Sequence, residues 1–125
     1  MTASNAFALI YAAICAGVIF FQIALVFGAP WGRVTQGGTH ARKLPRSGRI
    51  VSGVSIFILT GMALAIVSAT GGWPHWPRWA SWAALAVQSV STLLNWITPS
   101  RPERRLWAPI TSVMLVLAAS AVLIH

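Results

Sequence analysis

The sequence has 125 residues, of which 57% are hydrophobic and only 8% are charged. Water-soluble domains carry roughly 25% charged residues, so this composition excludes an ordinary soluble domain and indicates a membrane protein. Nine lysines and arginines stand against one acid, Glu103, which gives a formal net charge of +8. Because the basic residues lie in connections between apolar stretches, the charge indicates membrane topology and contact with anionic lipids. It does not indicate nucleic-acid binding.

Four stretches of the sequence lack charged residues and are each about as long as a membrane span. A helix of roughly 20 residues crosses the hydrocarbon layer of about 30 Å. Glycines and prolines separate the stretches, and Ser100 or Pro102 opens the last helix with Glu103 in its first turn. We therefore predict a single transmembrane domain, residues 1–125, folded as an all-α bundle of four transmembrane helices. The predicted helices span approximately residues 6–27, 51–69, 79–97 and 106–124.

The distribution of basic residues predicts the orientation of the bundle. Arg78 is the one basic residue of the middle connection, and the other eight of the nine lie in the first and third connections. By the positive-inside rule, the first and third connections are cytoplasmic, and both termini are periplasmic. We therefore expect a multi-pass protein of a bacterial inner membrane, with the bilayer and its anionic lipids as partners and with no nucleic acid. The eight residues are Arg33, Arg42, Lys43, Arg46, Arg49, Arg101, Arg104 and Arg105.

The first connection, residues 28–49, is longer than a helical hairpin requires. Its glycine pair can present backbone amides to an anion, and its basic side chains suit phosphate or carboxylate oxygens. We therefore expect the loop to fold back against the bundle, where it would hold an anion or a lipid headgroup. A loop that only sets topology and rests on anionic lipid is the favoured alternative. The candidate residues are Trp31, Gly37, Gly38, His40, Arg42, Arg46 and Arg49.

A polar stripe marks the predicted third helix. Ser81, Gln88, Ser91, Thr92 and Asn95 follow helical spacing, which places them on one face. Such a face turns away from lipid. It would either line a cavity for a polar substrate or form hydrogen bonds between helices, and the second interpretation is favoured. The candidates for an intramembrane site are Gln22, Gln88, Thr92 and Asn95.

The remaining reactive residues predict neither catalysis nor a metal site. His40, His75 and His125 are scattered without ligand spacing, and Cys15 is the single cysteine. We predict no catalytic residues, no metal and no cofactor, and the sequence favours a protein that is not an enzyme. Gly61 lies in the middle of the second helix, where we expect it to permit close contact with another helix.

Several short motifs resemble a group of small uncharacterised bacterial four-helix integral membrane proteins. The resemblance rests on GAPWG at 28–32, GG at 37–38, LP at 44–45, Arg49 and the segment ERRLWAP at 103–109. It implies a fold and no chemistry.

Three functions are compatible with these residues. The leading prediction is a non-enzymatic accessory or interaction subunit, with a second copy or another membrane protein as partner, which requires a tightly filled bundle. The first alternative is a small transporter or channel that uses the polar face, which requires a wet cavity reaching Gln88. The second alternative is a binder of anions or lipid headgroups, or an enzyme acting on them, through the loop of residues 28–49.

Overall fold

A computed structural model describes residues 2–125 of the chain. It contains four long helices, α1 (Ala3–Val26), α2 (Arg46–Ala69), α3 (Arg78–Ile97) and α4 (Arg101–Ile124). Short 3-10 turns at Gly32–Val34 and Gln36–Gly38 lie between α1 and α2, and residues 2–125 include no strand. The prediction of an all-α helical bundle is confirmed.

The helices extend beyond the apolar stretches on the side that carries the basic residues. Helix α2 begins at Arg46 and α4 at Arg101, and not near residues 51 and 106. The start of α4 follows from its cap, because the Ser100 hydroxyl accepts a hydrogen bond from the Glu103 amide at 3.2 Å. These first turns are polar and continue the helix outside the apolar segment.

Helices α1, α2 and α4 are long and apolar enough to cross a membrane. Helix α3 has 20 residues, but its mean hydropathy is too low for it to count among these membrane-capable helices. Its polar stripe lowers the mean hydropathy, although its length of about 30 Å matches that of a span.

The closest packing joins α1 to α2, followed by α3 with α4 and then α1 with α4, whereas α2 and α3 pack less closely. Tyr11 and Cys15 of α1 are fully buried against Ile66 of α2 and against Met114 and Ala118 of α4. Small residues let helix backbones approach each other closely in a membrane, where van der Waals contact drives association. The alanines of α4 therefore place the core on the α1–α4 side of the bundle.

The expectation that Gly61 lies at a helix contact is wrong. A Cβ added to Gly61 would have no neighbouring atom within 4 Å. Gly61 instead lines a shallow groove between α2 and α3. The buried residues in the wall of this groove are Met62, Ala65 and Ala84.

Hydrogen bonds fasten the end of the bundle that contains both chain ends. The Ser4 hydroxyl lies 3.0 Å from Nδ1 of His125, and Nδ2 of Asn5 donates to the Thr70 carbonyl at 2.8 Å. The Arg78 guanidinium, at the start of α3, donates to the Val122 carbonyl near the end of α4 at 2.9 Å. Neighbouring helices are therefore antiparallel, and α3 runs the length of the bundle.

The connection between α1 and α2 folds back over the opposite end of the bundle. Nε1 of Trp107 donates to the Val34 carbonyl at 2.7 Å, and the Ser100 hydroxyl donates to the Arg33 carbonyl at 2.6 Å. Gly38 has a φ of +70°, and a Cβ there would lie 2.6 Å from that of Ser100. The backbone of the loop is thus fixed to side chains at the start of α4.

Gly32 provides a test of how far this loop stabilises the bundle. A Cβ at Gly32 would clash with the carbonyl oxygens of His40 and Arg42. We expect Gly32→Ala to destabilise the protein by about 1–3 kcal/mol, the usual cost of overpacking. The measurement is the melting temperature in detergent. The control is Gly17→Ala, because Gly17 lies in α1 with no neighbouring atom within 4 Å. Equal melting temperatures for the two variants would show that the loop packs loosely.

Candidate functional site

A cavity of about 980 Å³ lies between the helices in the half of the bundle nearest the loop. Volumes of about 300–1,000 Å³ are typical of ligand sites. All four helices contribute to its wall, and the loop residues Thr35, Gln36 and Gly37 close its end. The bundle is therefore not filled in this half.

The mouth of the cavity opens sideways between α2 and α3. Its lining includes Ile58 of α2 and Val87, Val90 and Leu94 of α3, which are 44–57% exposed. These apolar side chains belong to the outer surface of the helices. The opening is therefore apolar and is directed away from the bundle axis.

An apolar groove continues from the cavity toward the end that contains the chain termini. It has a volume of about 470 Å³ and shares Ile58, Met62 and Val87 with the cavity. Apart from these three, its lining is made of Gly61, Ala65, Trp76, Pro77, Trp79, Ala80, Ala83 and Ala84. The two spaces together form one site, polar near the loop and apolar along the rest of α2 and α3.

The polar stripe of α3 faces inward, and its buried members form hydrogen bonds between helices. The Tyr11 hydroxyl donates to Oε1 of Gln88 at 2.9 Å, and Nε2 of Gln88 donates to the Thr111 carbonyl at 3.3 Å. The Thr92 hydroxyl lies 2.8 Å from the Gln88 carbonyl and 3.1 Å from that of Thr111. Gln88 and Thr92 therefore join α3 to α1 and α4. Of these two, only Gln88 also lines the cavity.

Gln22 and Asn95, the other two candidates, both line the cavity. Oε1 of Gln22 is buried without a hydrogen-bond partner among residues 2–125. Nδ2 of Asn95 donates to the Ser91 carbonyl of its own helix at 2.8 Å. This hydrogen bond uses the nitrogen of the Asn95 amide and does not involve its Oδ1. Because a buried polar group without a partner is costly, these amides are the ones suited to meet a ligand.

Glu103 lines the end of the cavity nearest the loop and is 7% exposed. Its Oε2 accepts a hydrogen bond from the Gly37 amide at 3.1 Å, which leaves Oε1 available. The remainder of the lining includes no lysine, arginine or histidine. The one acidic residue of the sequence is thus the ionisable group of this cavity. Sequence reasoning assigned Glu103 only to the start of a helix and missed this position.

The loop candidates do not share one set of contacts. The Gly37 amide binds Glu103, Gly38 lies against Ser100, and the Trp31 ring stacks on Phe21 at 5.8 Å. Nε of Arg49 donates to the Val26 carbonyl at 2.8 Å. The other three candidates are exposed, namely His40, Arg42 and Arg46.

The geometry offers no metal centre in the described part of the chain. Residues 2–125 include no group of three or more His, Cys, Asp or Glu side chains placed to hold an ion. The cavity contains acceptors, amides and aromatic rings, but no nucleophile paired with a base.

Tyr11 tests how much the buried hydrogen bonds contribute. Tyr11→Phe would leave Oε1 of Gln88 without its donor, and we expect it to cost about 0.6–1.7 kcal/mol of stability. Thermal unfolding in detergent measures this cost. Ser89→Ala is the control, because Ser89 is exposed and bonds only within its own helix, to the Leu85 carbonyl. A Tyr11→Phe variant as stable as Ser89→Ala would contradict the structural role of this bond.

Comparison of the chain with models of protein families, with curated proteins and with solved structures found no match. The function is therefore inferred from the site itself.

Proposed function

We propose that this protein is a non-enzymatic, four-span membrane protein that binds and exchanges an amphipathic small molecule. The polar part of the ligand occupies the cavity near the loop, and its apolar chain lies in the groove between α2 and α3. A bacterial inner membrane is the proposed location. This is the small-transporter alternative, narrowed to a ligand with a polar and an apolar part.

The main support for this proposal is the cavity of about 980 Å³, which reaches Gln88 and continues into an apolar groove. An accessory subunit needs a filled bundle and no such space. The lateral mouth favours a ligand that enters from the bilayer, because the exposed residues around it are apolar. Glu103 has no second carboxylate, histidine, cysteine or lysine beside it in the cavity lining, which favours binding and exchange over catalysis.

Four spans are supported by the direction of α3. Helices α1, α2 and α4 are apolar enough to cross a membrane, and α3 lies antiparallel between α2 and α4. The hydrogen bond between Arg78 and Val122 places the start of α3 beside the end of α4. The connection that follows α3 meets the loop at the other end, through Ser100 and Arg33. A polar face is tolerated in a span when it faces the bundle interior.

Periplasmic termini are supported by the position of the basic residues. Loop residues 33–49 and the first turn of α4 lie at one end, where contacts of Gly37 with Glu103 and of Arg33 with Ser100 join them. By the positive-inside rule this end faces the cytoplasm. The exposed Arg42, Lys43 and Arg46 would contact anionic headgroups there, at about 1 kcal/mol for each residue. Self-association and a protein partner remain predictions.

Thiol labelling tests this topology. We expect Ala3→Cys to react with an impermeant maleimide in intact cells and Thr39→Cys to react only after the inner membrane is opened. Both positions are exposed, whereas native Cys15 is buried and is replaced by alanine. Labelling of position 39 in intact cells would reverse the orientation. Labelling of both positions in intact cells would contradict a membrane crossing by α1.

Filling the cavity tests the binding proposal. Ser91 lines the cavity, whereas Ser89, on the same helix, is exposed and does not. We expect Ser91→Phe to block labelling by a dodecyl amphiphile with a diazirine in its chain, and Ser89→Phe to leave labelling unchanged. The protein is held in phosphatidylcholine nanodiscs, and mass spectrometry of peptides locates the adducts.

In the wild type, adducts are expected on Ile58, Met62, Val87 and Val90, at the mouth and in the groove. Adducts confined to lipid-facing residues elsewhere, such as Phe20 and Val116, would mean that the probe samples only bulk lipid. Equal labelling of the Ser91→Phe and Ser89→Phe variants would likewise contradict the proposal.

A further inference from the structure

The charge inside the cavity is opposite to the charge of the protein. The sequence carries nine lysines and arginines and one acid. None of the basic residues lines the cavity, whereas Glu103 does. A chain with a net charge of +8 therefore presents a negative group at the polar end of its binding site.

The position of the Glu103 side chain is fixed. The Gly37 amide holds Oε2 at 3.1 Å, and the backbone amide of Glu103 is capped by Ser100 at 3.2 Å. The first turn of α4 also stabilises a carboxylate through its aligned peptide dipoles. Both contacts use polar groups of the protein without a cationic side chain, and the cavity lining contains no lysine, arginine or histidine beside the remaining oxygen. The site is preorganised to receive a hydrogen-bond donor or a positive charge.

Other groups near the loop end of the cavity suit the same kind of headgroup. The amides of Gln22 and Asn95 lie in the wall, and each has an oxygen without a donor among the hydrogen bonds described above. The rings of Phe21 and Trp107 also line the cavity and meet edge to face at 4.7 Å. Aromatic faces attract cations, most strongly where water is excluded. Acceptors and rings together favour an ammonium headgroup over an anionic one.

We infer that the ligand of this cavity is an amphipathic amine, whose ammonium group binds Glu103 and whose apolar chain lies in the groove between α2 and α3. This inference rests on the proposed function and specifies its ligand class. A phosphate or carboxylate headgroup would instead face Glu103 with no basic residue in the lining to compensate. Anionic lipids are confined to the exposed arginines and lysines outside the cavity.

Matched probes of one chain length separate the headgroup from the chain. Dodecylamine, dodecanol and dodecanoate compete with the diazirine amphiphile in phosphatidylcholine nanodiscs, and each is corrected for its partition into protein-free nanodiscs. Dodecylamine is an ammonium ion at neutral pH. We expect it to displace the label at a membrane concentration about ten- to a hundredfold below that of dodecanol. Dodecanoate should be the weakest. Because the protein surface is cationic, surface attraction alone would give the opposite order.

Glu103→Gln removes the charge and keeps an oxygen to accept from the Gly37 amide. In this variant, we expect dodecylamine and dodecanol to compete equally, with dodecanol within about twofold of its wild-type value. The control is Ser47→Lys, which also raises the net charge by one but lies at an exposed position that does not line the cavity. It should retain the preference for the amine. Competition by dodecanol also reports that each variant is folded.

The outcomes distinguish the two proposals. If dodecanoate competes as well as dodecylamine, or if Glu103→Gln retains the preference for the amine, the amine inference is overturned and the amphiphile site stands. If none of the three probes displaces the label from the wild type, the site itself fails. Should Glu103→Gln not fold, Asn95→Asp replaces it. A second carboxylate in the cavity wall must then strengthen binding of dodecylamine relative to dodecanol, and an unchanged ratio overturns the inference.

Discussion

The architecture depends on one constraint, that a polar group within a hydrocarbon layer must find its partner inside the protein. Helix α3 carries more serine, threonine, asparagine and glutamine side chains than any other helix, and its polar stripe faces inward. Gln88 meets this requirement through Tyr11 and the Thr111 carbonyl. These partners belong to α1 and α4, so α3 is held on that side of the bundle. Helix α3 therefore packs less closely against α2, and the cavity and groove lie between these two helices.

Glu103 connects the loop, the fourth helix and the cavity. A carboxylate in the first turn of a helix is common and is explained by the helix dipole. Here the same group also accepts from the Gly37 amide, which fixes the loop over the end of the cavity. The Gly37 amide, which was a candidate for binding an external anion, instead donates to the carboxylate of Glu103. The loop consequently closes a site whose charge is negative, although its exposed surface is positive.

The helices, their inward polar face and the folded-back loop could be predicted from sequence, because hydropathy, helical spacing and loop length are local properties. The partners of the polar residues could not. Tyr11 is one of many residues in an apolar stretch, and only the crossing of α1 and α3 places it beside Gln88. Gly61 was expected at a contact, but it lines the groove between α2 and α3, and an added Cβ there would have no neighbouring atom within 4 Å. The sequence contains a single acidic residue, Glu103. This isolation was the signal that could have directed attention to its position in the cavity.

The hydrogen bond between Ser4 and His125 means that the first and last residues of the fold are neighbours. Chain ends that lie close together allow circular permutation. A short linker from His125 back to Thr2, with the chain opened in the exposed segment at residues 39–43, would retain all four helices and their directions. Such a permutant would have its new ends at the opposite end of the bundle. The end of the bundle at which the chain ends lie is therefore a property of chain connectivity and can be changed independently of the packing around the cavity.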